Sequence, residues 1–303
     1  MSESQLKATW RDLLPTYTGA LFFAAALYTH ITYDYLYLIV WISYVLIPLL
    51  DAVIPVDMTN IPAERSRVLE KDPRFLIPLY LMWVMDFGLY FSLLYQVGTG
   101  SIAQTLPSLI YYVFCSAHFG AIDAAIGHEL AHRRSLVHKV LGNLVYSKML
   151  YSHFYLQHVK SHHKKVATPE DSSTARFGES LFTFWARAVP AGLVETWELE
   201  TKRLGPDNRP VQWWEHLLYN RLIQFNVGHI TYLVALYALL GSRALAFQLM
   251  YAPLVALMYE TINYVEHYGL MRKLLPGGIY ESVKITHSWN APQVVANNVL
   301  FKL

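Results

Sequence analysis

Residues 102–132 read IAQTLPSLIYYVFCSAHFGAIDAAIGHELAH, an apolar run without lysine, arginine or glutamate until it reaches His128-Glu129-Leu130-Ala131-His132. As a helix, the part from 102 to 127 is long enough to cross a hydrocarbon core of about 30 Å. Where it ends, two histidines stand four apart, and residues i and i+4 lie one above the other on a helix. Both imidazoles can therefore aim at one ion, which makes this stretch a candidate membrane span that delivers metal ligands at the water boundary.

Working outward, apolar stretches of comparable kind occur near 14–30, 34–54, 76–97, 223–240 and 244–263, so six spans are expected with 102–127 as the fourth. Short links at 30–34, 97–102 and 240–244 pair them into three hairpins. All but Arg243 of the 24 lysines and arginines lie outside those links and spans. By the positive-inside bias, both termini and the long 128–222 region should be cytoplasmic. The composition agrees: 54% of residues are apolar, only 15% are charged, and there are 22 tyrosines and 8 tryptophans. Soluble domains carry about a quarter charged residues, and amphipathic rings suit the headgroup layer. The expected class is all-α: one integral-membrane domain over 1–303, a six-span bundle whose cytoplasmic helical cap (128–222 and 264–303) holds the metal. Met1 to Pro15 lacks the short apolar core of a cleaved signal peptide, and 200–213, with Gly205, Pro206 and Pro210, reads as a surface loop.

A net charge of +2, scattered along the chain, gives no footprint for nucleic acid. The single cysteine, Cys115, excludes an intramolecular disulfide and any Cys-rich metal site.

The 13 histidines are unevenly placed. After His128 and His132 comes His158-Val159-Lys160-Ser161-His162-His163, again with i, i+4 spacing. His267, in Asn263-Tyr264-Val265-Glu266-His267-Tyr268-Gly269, stands where the sixth span should emerge. A lone histidine such as His30 or His216 reads as an ordinary hydrogen-bonded residue, but three elements meeting one interface point to metal. Imidazole suits Fe, Zn, Cu and Ni, and the lack of thiolates removes Fe–S and Cys-rich zinc sites. Six histidines exceed the three protein ligands of a usual catalytic zinc, so two ions are expected. Glu129 and Glu266 each adjoin a ligand candidate and are the expected catalytic carboxylates, as bridging groups or as braces that fix a tautomer. Pairing of Glu129 with Arg133 at i+4 is the plainer alternative.

His128-Glu129-x-x-His132 is also the zinc-protease pattern, with His138 at the third-ligand position of its longer form. Ser135 stands where that form turns on glycine, and the 158–163 cluster and His267 would then have no role.

These runs resemble the membrane-bound alkane monooxygenases, relatives of the integral-membrane desaturases and hydroxylases. The first box is near that family's His-Glu-Leu-Gly-His, with Ala131 for glycine. The second resembles its Glu-His-Asn-x-Gly-His-His, followed by Val166-Ala167-Thr168-Pro169-Glu170-Asp171 and Ala175-Arg176-Phe177-Gly178-Glu179-Ser180. Residues 263–270 fit Asn-Tyr-x-Glu-His-Tyr-Gly, and His287-Ser288-Trp289-Asn290 follows. Gln157, Val159 and Ser161 depart from the second box, so the resemblance implies a lost supporting carboxylate. Of the family's nine ligand histidines, six are in this sequence: His128, His132, His158, His162, His163 and His267. The family's last box follows a segment resembling Asn298 to Leu303, so a truncated or degenerate, inactive relative is the expected alternative.

The resemblance implies terminal hydroxylation of alkanes to primary alcohols by O2 at two non-haem, histidine-held irons. It implies rubredoxin with its flavoprotein reductase as electron source and, in a bacterium, the inner membrane. The basic residues Arg133, Arg134, Lys160, Lys164 and Lys165 suit an acidic carrier, and equally the positive-inside bias. Asp86, Asp123, His118, His153, His229 and His287 are in-membrane or neighbouring polar groups without an assigned role.

Overall fold

The long apolar runs of this chain become helices. The computed structural model describes residues 7–59 and 61–300. Residues 1–6, part of the expected leaderless N-terminus, and 301–303, the end of the segment at Asn298, lie outside them. The chain divides inside a helix into two compact units, 1–129 with 291–303, and 130–290.

In the first unit, α1 (Thr18–Tyr33) stops at Asp34, which takes the left-handed conformation with φ 52°. Its carboxylate accepts a hydrogen bond of 2.9 Å from the Tyr112 hydroxyl. Next comes α2 (Leu38–Val53), widened by a π-helical turn at Ile42–Leu46. Then α3 (Leu76–Thr99) ends on Gly100 at φ 77°, where glycine carries no steric penalty. Helix α4 (Leu106–His132) follows. The unit's core includes Phe23, fully buried and edge-on to Phe119 with centroids 4.8 Å apart. Asp51 near the end of α2 takes over the N-cap of the helix Val294–Val299, its carboxylate accepting from the Val295 and Ala296 amides at 2.7 and 3.0 Å.

The second unit begins with the last turn of α4. It continues through α5 (Leu136–Lys148), α6 (153–165), α7 (Leu181–Leu204) and α8 (Arg221–His267). Ser180 caps α7 by accepting from the Thr183 amide. At the turn from α7 to α8, the buried Glu200 carboxylate accepts from Arg203 at 2.7 Å and from the Arg221 guanidinium. On α8, Phe247, Tyr251, Val255 and Tyr259 recur every fourth residue and are buried. Tyr259 meets Phe154 of α6 edge-on at 5.0 Å. The all-helical expectation holds among the described residues apart from one short antiparallel hairpin, Leu274–Leu275 with Ile279–Tyr280. Pro276-Gly277-Gly278 makes it, both glycines having positive φ, 100° and 77°.

Among the described residues, three helices are long and apolar enough to cross a membrane: Pro73–Thr99, Leu106–His132 and Arg221–His267. The last is two helices joined at Gly241, φ 78° and ψ −175°, inside the link expected at 240–244. Four of the six expected stretches thus fall on these three helices. The first two fall on α1 and α2, and the 16 residues of α1 reach only about 24 Å at about 1.5 Å per residue.

Candidate metal centre

The turn that carries the second histidine cluster is wide. Residues His158–His162 form a π-helical turn between the α-helical ends of α6. Hydrogen bonding from i to i+5 brings residues five apart onto one face, as i and i+4 are in an α-helix, and such bulges concentrate at functional sites. His158 and His163 accordingly meet, with Nε2 atoms 3.0 Å apart. His163 Nε2 also lies 3.1 Å from Nε2 of His132, which the last turn of α4 supplies. A neutral imidazole has one N–H, so His163 Nε2 cannot donate to both neighbours. Three ring nitrogens converge where at most one hydrogen bond can form. Nitrogens about 2.1 Å from one ion at right angles would be about 3.0 Å apart. Burial, then the neighbouring His132 and His162, push His163 down to about 4, so its ring is neutral at pH 7 and can bind a cation. His132 and His163 are exposed and His158 is buried, so the group opens to one side. His128 precedes His132 by one turn on the same unbroken helix.

His162 and His267 form a second group, both 3% exposed, with centroids 4.9 Å apart. Each has its Nδ1 held. Asp171 accepts from His162 Nδ1 at 2.9 Å, and the His287 backbone carbonyl lies 3.2 Å from His267 Nδ1. Such acceptors fix the tautomer and leave Nε2 as the donor atom for metal. Burial would lower the His162 pKa, but Asp171 reverses this and raises it. Asp171 is held below the usual carboxylate value by His162, against its burial. The Glu266 carboxylate lies 4.0 Å from His267 Nε2. Glu129 is half-buried on α4.

Sequence reasoning missed the carboxylates that organise this region. Asp171 carried no assigned role; Glu195, on α7, carried none either. Yet two of the three departures in the second box, Gln157 and Ser161, end on Glu195, which accepts from Ser161 and, at 3.2 Å, from Gln157. It also accepts from Ser172 at 2.9 Å and pairs with Lys165 at 2.7 Å. Burial would raise its pKa; these donors outweigh that and lower it. The spacing 157, 161, 165 could have signalled a polar face beside the histidines. Glu260 of α8 is likewise held, by Tyr151 at 2.9 Å and Asn263 at 3.0 Å.

The remaining histidines have plainer settings. His118 turns onto its own helix, Nδ1 2.7 Å from the Phe114 carbonyl. His229 bonds Ser152 at 3.0 Å, and His216 stacks on Trp197. His287 serves the centre through its backbone. His138, at the protease third-ligand position, lies on α5, and His132 meets His163 and, through it, His158 of α6.

The family model of the fatty acid desaturases matches residues 103–301. The chain is 32% identical over 271 residues to alkane 1-monooxygenase 1 of Alcanivorax borkumensis, covering 88% of this chain and 64% of that one. It is 32% identical over 268 residues to alkane 1-monooxygenase of Ectopseudomonas oleovorans, covering 88% and 65%. Against alkane 1-monooxygenase 2 of Pseudomonas aeruginosa it is 30% identical over 275 residues, covering 88% and 70%. The chain thus spans about two thirds of the length of these relatives.

Proposed function

We propose, because this chain belongs to the fatty acid desaturase family and within it to the alkane 1-monooxygenases, that it hydroxylates the terminal carbon of alkanes at a histidine-held di-iron centre. The net reaction takes an alkane, O2, two electrons and two protons to a primary alcohol and water. The observation that carries the reading is the meeting of three Nε2 atoms, from His132, His158 and His163, around one point. With His128 they would hold one ion, and His162 and His267 would contribute to the other. Bound iron supplies the oxidant for an unactivated C–H bond, which no side chain can.

The chain's own residues do the rest. Asp171 and the His287 carbonyl hold the two buried rings in the tautomer that presents Nε2. Glu266, beside His267, and Glu129, next to His128, are the two carboxylates assigned to bracing the centre and handling its protons. An alkane has no polar handle, and each CH2 moved out of water contributes about 0.8 kcal/mol, so it arrives from lipid. The chain is read as one integral-membrane domain over 1–303 with six crossings and both termini cytoplasmic, in the inner membrane of a bacterium. Rubredoxin, reduced by its flavoprotein, would supply electrons from the cytoplasm, where Arg133, Arg134, Lys160, Lys164 and Lys165 attract an acidic carrier.

The test uses membranes containing the chain, supplied with rubredoxin, its reductase and octane. Iron in the purified chain and 1-octanol in the extract are expected, both abolished in His163→Ala. A chain that holds zinc and cleaves peptides, or one that neither retains iron nor yields octanol, would overturn the proposal.

A further inference from the structure

Glu195 is only 8% exposed and lies on α7, away from every histidine box in sequence. Its two oxygens collect four side chains. Oε1 takes Ser161 and Lys165, and Oε2 takes Gln157 and Ser172. Three of these come from α6, at intervals of four, and they flank the imidazoles in order: Gln157 precedes His158, Ser161 precedes His162, and Lys165 follows His163 by two. The fourth, Ser172, adjoins Asp171, which accepts from His162. The Gln157 amide reaches Ser172 as well, at 2.9 Å, and Ser173 at 3.2 Å. One carboxylate therefore ties the wide turn and the loop bearing Asp171 to the same point on α7.

A π-helical turn has no strong preference of its own and persists only when surrounding contacts over-determine it. We propose that Glu195 is the positioning residue that holds residues 158–163 in their wide turn and so sets which ring nitrogens converge. The negative charge must sit on one member of the Gln157–Glu195 pair, at 3.2 Å, and not on both. Glu195 touches no reacting group and acts through the histidines; the proposal rests on their reading as metal ligands.

The full chain in detergent is titrated with Co²⁺, whose visible absorption reports nitrogen ligation, and its thermal unfolding is followed separately. Four forms are compared: unmodified, Glu195→Gln, Gln157→Glu, and the exchange Gln157→Glu/Glu195→Gln. Glu195→Gln leaves Lys165 and two hydroxyls without their charged acceptor, and Gln157→Glu sets two buried carboxylates side by side. Each single change is expected to weaken Co²⁺ binding about 10- to 100-fold and to change the band intensities. The exchange is expected to recover affinity to within about threefold, with the original spectrum. Singles that bind and absorb like the unmodified chain would overturn the positioning role, and an exchange no better than the worse single would overturn the charge rule. If the unmodified chain takes up no Co²⁺, the metal reading fails, and thermal unfolding still decides the linkage. The singles should then unfold earlier and the exchange recover, whereas additive losses would overturn it.

Discussion

The second unit has two ends built on opposite principles. At the histidine end, buried polar groups meet carboxylates: His162 meets Asp171, the 157–172 donors meet Glu195, and Tyr151 and Asn263 meet Glu260. At the other end, the first half of α8 shows the solvent Val227, Ile230, Val234, Tyr237 and Leu239, each more than half exposed. A soluble protein rarely leaves so continuous an apolar face bare. Burial at one end demands paired charges, because an unpaired buried polar group costs about 1–3 kcal/mol. At the other end, a bilayer would remove the apolar cost, and a single glycine sets the bend.

The contrast can be broken most directly at His163. His163→Ala removes the ring that both neighbours meet, so metal affinity of that group should fall more than about 100-fold by Co²⁺ titration. Retained affinity would mean the convergence is not a ligand set. A smaller effect is expected for Asp171→Asn, which keeps shape but loses the charge that raises the His162 pKa. Affinity should fall about 10- to 100-fold, with the midpoint of pH-dependent metal uptake shifted to lower pH. At the apolar end, Gly241→Ala meets no neighbouring atom, yet φ 78° with ψ −175° is accessible almost only to glycine. A loss of about 1–3 kcal/mol in detergent unfolding, with unchanged Co²⁺ binding, would show that the two ends fail independently.

The smallest effect is expected where the two styles meet. Arg221 and Arg203 hold Glu200 down to about 2, against the rise its burial alone would cause. A carboxyl whose folded pKa is depressed adds stability that is present above its unfolded value, about 4.3, and lost as pH falls toward 2. Glu200→Gln should therefore flatten the acid dependence of unfolding between about pH 4 and 2 and leave the neutral range little changed in slope. An unaltered acid limb would place the ion pair among exposed, weak ones.

Much of this was legible in the sequence because hydropathy and histidine spacing are local signals. The stretch from 102 to 132 gave both the long α4 and its terminal histidine, and the link near 240–244 contains the observed break at Gly241. The π turn was not legible, since His158, His162 and His163 satisfy i, i+4 spacing whether or not the turn widens. Nor was Glu195, because its partners lie 23 to 38 residues away in sequence and no period connects them. The loss of a carboxylate expected from Gln157 is offset by a residue on another helix, which only packing can reveal. His287 carried no assigned role, and it is its backbone carbonyl that does the holding.

The widened turn of α6 also limits how this centre can be copied. A regular α-helical scaffold given the same five-residue interval would point its first and last imidazoles apart. Whoever transplants the motif into a designed bundle must import the local irregularity and the remote carboxylate that grips it, or lose one of the converging rings.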